Sequence, residues 1–197
     1  MRELSVTMNV TLDGVVQGLG RPDEDTRGGF THGGWGGRYQ DEVLGQEMSQ
    51  GMGKPGDMLF GRRTWEDFIG AWAGQTDGNP FTTHMNATTK YVVSTTLDDA
   101  GAWQNSVLLR GDAASTVAKL KATPGNDLSV IGSAALVRAL HAAGLVDRYT
   151  LLIHPLTLGR GARMFDADAP FTEFTLTRSV ATTKGVIIAY YDRRKSS

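Results

Sequence analysis

The 197-residue chain contains no cysteine, and this absence excludes several kinds of site at once. Disulfides, thiolate nucleophiles, and zinc or iron–sulfur centres held by cysteine are ruled out. The four histidines are scattered along the chain without the spacing of metal ligands. We therefore expect no metal site.

The chain also lacks a strong net charge and a long apolar run. Its formal net charge is −1, which argues against a protein that binds nucleic acid or an anionic membrane through bulk charge. No segment approaches the ~20 apolar residues that span a bilayer, and the first residues do not resemble a signal peptide. We expect a cytoplasmic protein whose affinity for any phosphate comes from local placement of donors.

The order of predicted elements indicates an α/β fold in one domain, 1–197. Hydrophobic patterning and turn residues predict a mostly parallel sheet with helices on both faces and a C-terminal antiparallel hairpin. The predicted strands are 4–12, 57–60, 91–94, 106–109, 128–131, 149–153, 173–180 and 185–192. The predicted helices are 38–52, one that begins over 64–69 with Thr64 as its N-cap, 80–88 with Asn79 as its N-cap, 112–122 and 134–143. Residues 70–80 are predicted to be a glycine-rich loop.

A glycine-rich segment, 17–37, is predicted to be a long loop, since it holds eight glycines. Loops of that length in compact domains are usually functional or disordered. Its aromatic residues favour an ordered loop, because such side chains need a surface to pack on. His32 could reach a substrate, and Trp35 either stacks on a planar substrate or covers the core.

Three segments place small or donor-rich residues just beyond a predicted strand. They are LFGRRTW (59–65), YVVSTTL (91–97) and VIGSAALVRAL (130–140). The N-terminus of a helix presents free N–H groups to an anion, and ligands of open α/β sheets bind at the carboxyl ends of strands. Each signal is weak alone, but all three are predicted at the same end of the sheet, where they would suit a phosphate-bearing cofactor.

These segments, together with LSVTMNVTLDG, LVDRYTLLIHPLTLGRGARMF and the closing hairpin, resemble the dihydrofolate reductase-like superfamily. Within it, the chain is most similar to the family that includes the reductase domain of riboflavin biosynthesis enzymes. The resemblance runs nearly end to end and implies a three-layer fold. It also implies NADPH-dependent hydride transfer to a small heterocycle, such as a pyrimidine of riboflavin biosynthesis or a pterin.

The resemblance implies roles for residues at these motifs. Gly61, Arg62, Arg63 and Thr64 would bind the diphosphate and the 2′-phosphate region, while Ser94, Thr95 and Thr96 would lie near the adenine ribose. The residues expected to wrap the diphosphate are Gly132, Ser133, Ala134 and Ala135, and those expected to flank the nicotinamide are Asn9 and Val16. The family carries several glycines where this chain has Ser-Ala-Ala, which implies a less open diphosphate site.

A proton donor or orienting carboxylate is expected near the nicotinamide. Asp13 is one candidate, although Asp13-Gly14 could simply form a turn, and Asp41 and Glu42 are the alternatives. Leu156 and Arg163 follow a strand expected to line the substrate pocket.

Two other functions stay open at this point, namely a non-catalytic or regulatory nucleotide-binding module and a flavin-using variant. Members of the family are often homodimers, and the final hairpin could pair or pack across a two-fold axis.

Overall fold

The computed structural model describes residues 1–52 and 56–194, and its centre is one eight-stranded sheet. The strands are β1 (Leu4–Thr11), β2 (Asp57–Gly61), β3 (Lys90–Ser94), β4 (Ser106–Arg110), β5 (Leu128–Ile131), β6 (Arg148–His154), β7 (Phe174–Ala181) and β8 (Ile187–Arg193). Their order across the sheet is β4-β3-β2-β5-β1-β6-β8-β7. The first six are parallel, and β8 and β7 add an antiparallel edge. The predicted α/β class with its C-terminal hairpin is confirmed.

Helices cover both faces of the sheet and make three layers. They are α1 (Glu42–Met52), α2 (Arg62–Trp72), α3 (Pro80–Ala87), α4 (Ala113–Ala122) and α5 (Ala134–Ala142). Alternate residues of each strand point to opposite faces, so two separate cores form. One core joins the sheet to α4 and α5 through Val117 and Leu140, and the other joins it to α2 and α3 through Trp65 and Met85. Leu44 of α1 packs on the same face as α2 and α3, over β6 and β8.

Some predicted boundaries were wrong. A helix was expected over 38–52, but α1 begins at Glu42, and a separate 3₁₀ turn occupies Gly37–Tyr39. A loop was expected from residue 70, but α2 continues to Trp72. Asn79 caps α3 as its position before a proline indicates, since its side chain accepts a hydrogen bond from the N–H of Phe81.

The long loop packs as its aromatic residues indicated. Phe30 and Trp35 are buried against Val15, Leu156 and Leu158. At Gly33, a Cβ atom would come within 2.3 Å of the carbonyl oxygen of Pro22, so the loop folds too tightly on itself for any other residue there. In the described part of the chain, no helix is both long and apolar enough to cross a membrane.

Candidate functional site

A cleft of about 1430 Å³ opens at the carboxyl ends of the parallel strands. Four neighbouring strands, β3, β2, β5 and β1, end at it, which is where open α/β sheets bind ligands. The cleft has two ends. We call Gly61–Thr64, Ser94–Thr96 and Gly132–Ala135 the phosphate end, and Met8, Asn9 and Val16 the β1 end. All thirteen residues expected to bind cofactor line this cleft, so the structure brings them together.

Two hydrogen bonds join the helix starts that frame the phosphate end. The N–H of Gly61 donates to Oγ of Ser133 over 3.1 Å, and the N–H of Ser133 donates to Oγ1 of Thr64 over 3.2 Å. Thr64 was predicted to cap its helix, but this was wrong, because α2 begins at Arg62 with Gly61 at the N-cap position. The Thr64 hydroxyl instead holds the start of α5, on the opposite face of the sheet.

The backbone at the start of α5 is turned to expose its N–H groups. Gly132 and Ser133 both have left-handed φ, at 67° and 54° respectively. A serine adopts this conformation at a cost, because its Cβ crowds the carbonyl oxygen. The first N–H groups of α5, and those of α2 across from it, have no intrahelical acceptor. Two helix N-termini therefore face one space, an arrangement that suits a diphosphate.

Arginine side chains supply the positive charge of the cleft. Four of its five arginines form ion pairs in the described chain, namely Arg21 with Asp67, Arg27 with Asp25, Arg62 with Glu66 and Arg138 with Asp166. Arg62 also donates to the hydroxyl of Thr96 over 2.7 Å. Arg63 is exposed in the cleft and has no ion pair within the described residues. Arg63 is therefore the arginine best placed to meet an incoming phosphate.

The hydroxyls that follow β3 differ in what they already bind. Oγ of Ser94 accepts from the N–H groups of Thr96 and Leu97, at 3.1 and 2.9 Å, and so shapes the turn. The Thr96 hydroxyl is engaged by Arg62. Thr95 is exposed, and no hydrogen bond of its side chain is formed within the described chain. Of the three, Thr95 is the one free to bind a ligand.

At the β1 end, the side chain of Asn9 is hydrogen-bonded to His154, the last residue of the neighbouring strand β6. The ring nitrogen Nε2 lies 2.8 Å from Oδ1 of Asn9. His154 is 1% exposed, and burial lowers its pKa from the ordinary value near 6.5 to about 4. The ring is therefore neutral at physiological pH. The sequence alone does not connect His154 to Asn9, since the two are 145 residues apart in the chain.

The long loop forms one wall of the cleft, and Gln17 holds it in place. The side-chain amide of Gln17 donates to the carbonyl groups of Asp25 and Arg27, and its oxygen accepts from the N–H of Ala162. The indole N–H of Trp35 donates to the carbonyl of Gln17 over 2.7 Å. Trp35 is 2% exposed, so of its two proposed roles the structure favours covering the core over stacking on a substrate.

The structure places the candidate carboxylate Asp13 outside the cleft lining, in the turn after β1. It accepts hydrogen bonds from the Thr11 hydroxyl and from the N–H groups of Leu158 and Gly159. Although partial burial raises its pKa, the bonds from Thr11, Gly159 and Leu158 outweigh this and hold the pKa below the usual value. Asp13 thus forms the turn, which was the alternative interpretation of Asp13-Gly14.

The other two candidate carboxylates also lie away from the cleft lining. Asp41 caps α1 by accepting from the N–H of Leu44, and its second oxygen binds the hydroxyl of Thr183 in the turn between β7 and β8. The bond from the Leu44 N–H is the main reason that the pKa of Asp41 falls to about 2. Glu42 is exposed and accepts from the side chain of Gln46. A role at the nicotinamide for either residue finds no support in these positions.

The remaining residues expected to contact substrate are not part of the cleft lining. His32 is exposed and contacts the edge of Phe30, with ring centres 5.9 Å apart. Leu156 packs against the buried aromatic residues of the loop. The guanidinium group of Arg163 donates to the carbonyl of Asp13. A direct contact of His32, Leu156 or Arg163 with a ligand in the cleft therefore finds no support in these positions.

Comparison with known proteins identifies relatives of the whole fold. The model of the family described as RibD C-terminal domain matches residues 2–188. The chain is 28% identical over 171 residues to the uncharacterized protein YyaP of Bacillus subtilis (strain 168), which covers 83% of this chain and 80% of that protein.

Two solved structures share the fold. A putative riboflavin biosynthesis protein from Shewanella sp. PV-4 superposes with a TM-score of 0.75 at 18% identity, covering 99% of this chain and 100% of that one. A pyrimidine reductase-like protein from Corynebacterium diphtheriae has a TM-score of 0.66 at 12% identity, with 99% and 93% covered. At these identities the likeness concerns the fold.

The link between the two helix starts can be tested with a pair of substitutions at Ser133. Ser133→Ala leaves the N–H of Gly61 without its partner and keeps the left-handed strain, so we expect a loss of about 1–2 kcal/mol in the free energy of unfolding. Ser133→Gly loses the same bond but relieves the strain, and should be more stable than the alanine variant by roughly 1 kcal/mol. Urea denaturation measures both, and an alanine variant as stable as the glycine variant would contradict the assigned geometry.

The buried ring of His154 should make stability depend on pH. Between pH 6.5 and pH 4 the unfolded chain binds a proton that the folded protein excludes, so stability is complete above this window and falls as the pH falls through it. From pH 7 to pH 4.5 the expected loss is about 2–3 kcal/mol. His84 and His141 shift in the same direction, so the measurement compares the wild type with His154→Phe. An equal pH-dependent loss in both proteins would refute this assignment.

Proposed function

Because the chain belongs to the RibD C-terminal domain family, we propose that it is an NADPH-dependent reductase of a small heterocyclic substrate. The observation that carries the proposal is the convergence on one cleft of two helix N-termini, the turn after β3 and Arg63, which has no ion pair among the described residues. The two solved structures of the same fold are described as a putative riboflavin biosynthesis protein and a pyrimidine reductase-like protein, and these descriptions agree with the proposal.

The cofactor is proposed to lie across the strand ends, with its diphosphate between the starts of α2 and α5. Gly132 leaves the backbone free to approach the phosphates, and Ala134 and Ala135 present the first N–H groups of α5, whereas the N–H of Ser133 already donates to Thr64. The 2′-phosphate is proposed to meet Arg63, with Thr95 nearby, because these groups face the cleft without a protein partner in the described chain. The residues present therefore fit the group.

When bound, NADPH would supply a hydride to an electron-poor carbon of the substrate. The protein's part is to position the two rings and exclude water. The loop wall held by Gln17 and Trp35 would cover the reacting groups, while Asn9 and Val16 would flank the nicotinamide at the β1 end. Since Asp13, Asp41 and Glu42 are engaged elsewhere, the proton that completes the reduction is proposed to come from solvent.

The same placement of the three carboxylates favours a second candidate, a module that binds the nucleotide without turning it over. The two functions differ in one measurement. A reductase oxidises NADPH, followed by its absorbance, when it is offered a panel of pyrimidines, pterins and flavins. A binding module binds NADPH and leaves it reduced with every member of that panel.

Binding of NADPH is the first test of the proposal. Trp72 lines the cleft, so its emission should transfer to a bound dihydronicotinamide and report the titration directly. We expect a dissociation constant below ~100 μM, within the range at which enzymes meet their substrates. Failure to bind either NADPH or NADH would rule out the proposed function and the binding module together.

Arg63→Gln should weaken NADPH selectively. A charged hydrogen bond contributes about 1.5–3 kcal/mol, so the dissociation constant should rise roughly 10- to 100-fold for NADPH and change little for NADH. Arg62→Gln is the matched neighbour, and we expect a smaller and equal effect on both cofactors because Glu66 and Thr96 already hold Arg62. Arg38→Gln, at an exposed site outside the cleft, is the charge control. An equal loss for both cofactors in Arg63→Gln would assign this arginine to the diphosphate.

A further inference from the structure

The pair formed by Asn9 and His154 has a defined polarity. The Oδ1 atom of Asn9, an amide oxygen, can only accept a hydrogen bond, so Nε2 of His154 carries the proton and donates it over 2.8 Å. His154 is the last residue of β6, which runs parallel beside β1. The bond therefore links Asn9, at the β1 end of the cleft, to the neighbouring strand β6.

Packing alone does not explain a histidine at this position. Its ring is 1% exposed and meets the rings of Trp35 and Tyr39 edge-on, at centroid distances of 4.9 and 5.2 Å. Its other nitrogen, Nδ1, is buried and has no hydrogen-bond partner within the described chain. An unpaired buried polar atom costs stability, and a phenylalanine would avoid that cost. The bond to Asn9 is the interaction that a phenylalanine could not make.

The second polar atom of the Asn9 amide, Nδ2, faces the cleft. Among the described residues, no group accepts a hydrogen bond from its Nδ2, and Asn9 lines the β1 end. In the order β2-β5-β1, Asn9 lies two strands from Gly61, or roughly 10 Å at the usual strand spacing. A dinucleotide with its diphosphate at the phosphate end and its adenosine toward β3 would place its second ring near Asn9.

We propose that His154 is a positioning residue, which holds the Asn9 amide so that its N–H₂ group donates to the carboxamide oxygen of the nicotinamide ring. This inference rests on the proposed function. An asparagine amide can turn over and exchange its oxygen for its nitrogen, which would present an acceptor to the carboxamide oxygen. A proton on Nδ1 would bury an N–H with no acceptor within the described chain, so the ring keeps its proton on Nε2. That proton selects one of the two orientations of the amide before the ligand arrives, which lowers the cost of binding.

The direct test is His154→Phe, which keeps a ring against Trp35 and Tyr39 and removes both nitrogen atoms. We expect its dissociation constant for NADP⁺ to rise roughly 3- to 10-fold, the range expected when one side chain must be ordered on binding. The constant for 2′,5′-ADP, which lacks the nicotinamide, should stay unchanged. His141→Phe is the matched control, because His141 is also buried and bonds to the hydroxyl of Tyr149, outside the cleft lining.

Two further measurements separate positioning from general damage. In Asn9→Ala, adding His154→Phe should cause no further loss of NADP⁺ affinity, because the histidine acts only through the amide. The thionicotinamide analogue, in which sulfur replaces the carboxamide oxygen, should bind the wild type more weakly than NADP⁺ does, and His154→Phe should narrow that gap. The comparison of NADP⁺ with its thio analogue on the wild type remains informative even if His154→Phe folds poorly.

The outcomes separate a failure of the positioning role of His154 from a failure of the proposed cofactor site. If the wild type binds neither NADP⁺ nor 2′,5′-ADP, the proposed function fails and the inference falls with it. If the wild type binds both and His154→Phe changes neither, or weakens both equally, the positioning role is wrong while the cofactor site stands. Equal affinity of the wild type for NADP⁺ and its thio analogue would likewise overturn the contact with the carboxamide oxygen.

Discussion

The two hydrogen bonds between Gly61, Ser133 and Thr64 hold together helices that lie on opposite faces of the sheet. Strands β2 and β5 are neighbours, but the helices that follow them leave toward different layers, and a space opens between their first turns. The reciprocal bonds set the width of that space. The first N–H groups of α2 and α5 are placed relative to this link, and we infer that this is why a strained serine conformation is tolerated at its centre.

The second constraint is the loop that walls the cleft. Its glycines let the chain fold tightly, as the close approach of Gly33 to Pro22 shows, and its aromatic residues give it a core of its own. Gln17 then ties that core to the segment after β6 through the N–H of Ala162. Trp35 connects the loop to the β1 end of the cleft. Its indole N–H donates to the carbonyl of Gln17, and its ring packs on the ring of His154, which binds Asn9. To hold a nicotinamide and a substrate ring in a reactive arrangement, the cleft would need fixed side chains beside Asn9 and an ordered loop over them.

Local patterns predicted that three strand ends with small or donor-rich residues lie at the same end of the sheet, and the structure brings them to one cleft. A strand followed by Gly-Arg-Arg-Thr, and another followed by Gly-Ser-Ala-Ala, identified two helix starts, and the structure brings both to the cleft. The same patterns could not assign partners. Thr64 was expected to cap its own helix and instead binds the backbone of Ser133. Arg62 and Arg63 are equivalent in sequence, yet one is bound by Glu66 and Thr96 while the other is exposed without an ion pair in the described chain.

For the three candidate carboxylates, too, local sequence patterns could not predict the hydrogen-bond partners. Asp13, Asp41 and Glu42 were sensible candidates because acidic residues near a first strand and a first long helix could reach a bound ring. Asp41 instead caps α1 and binds Thr183, 142 residues away in the chain, and Asn9 meets His154 across 145 residues. The sequence by itself determined the strands, the helix starts and the glycine-rich loop, because these depend on residues within a few positions of one another. Only the tertiary structure decided which polar groups are already bound and which face the cleft, because strand order and register bring distant side chains together.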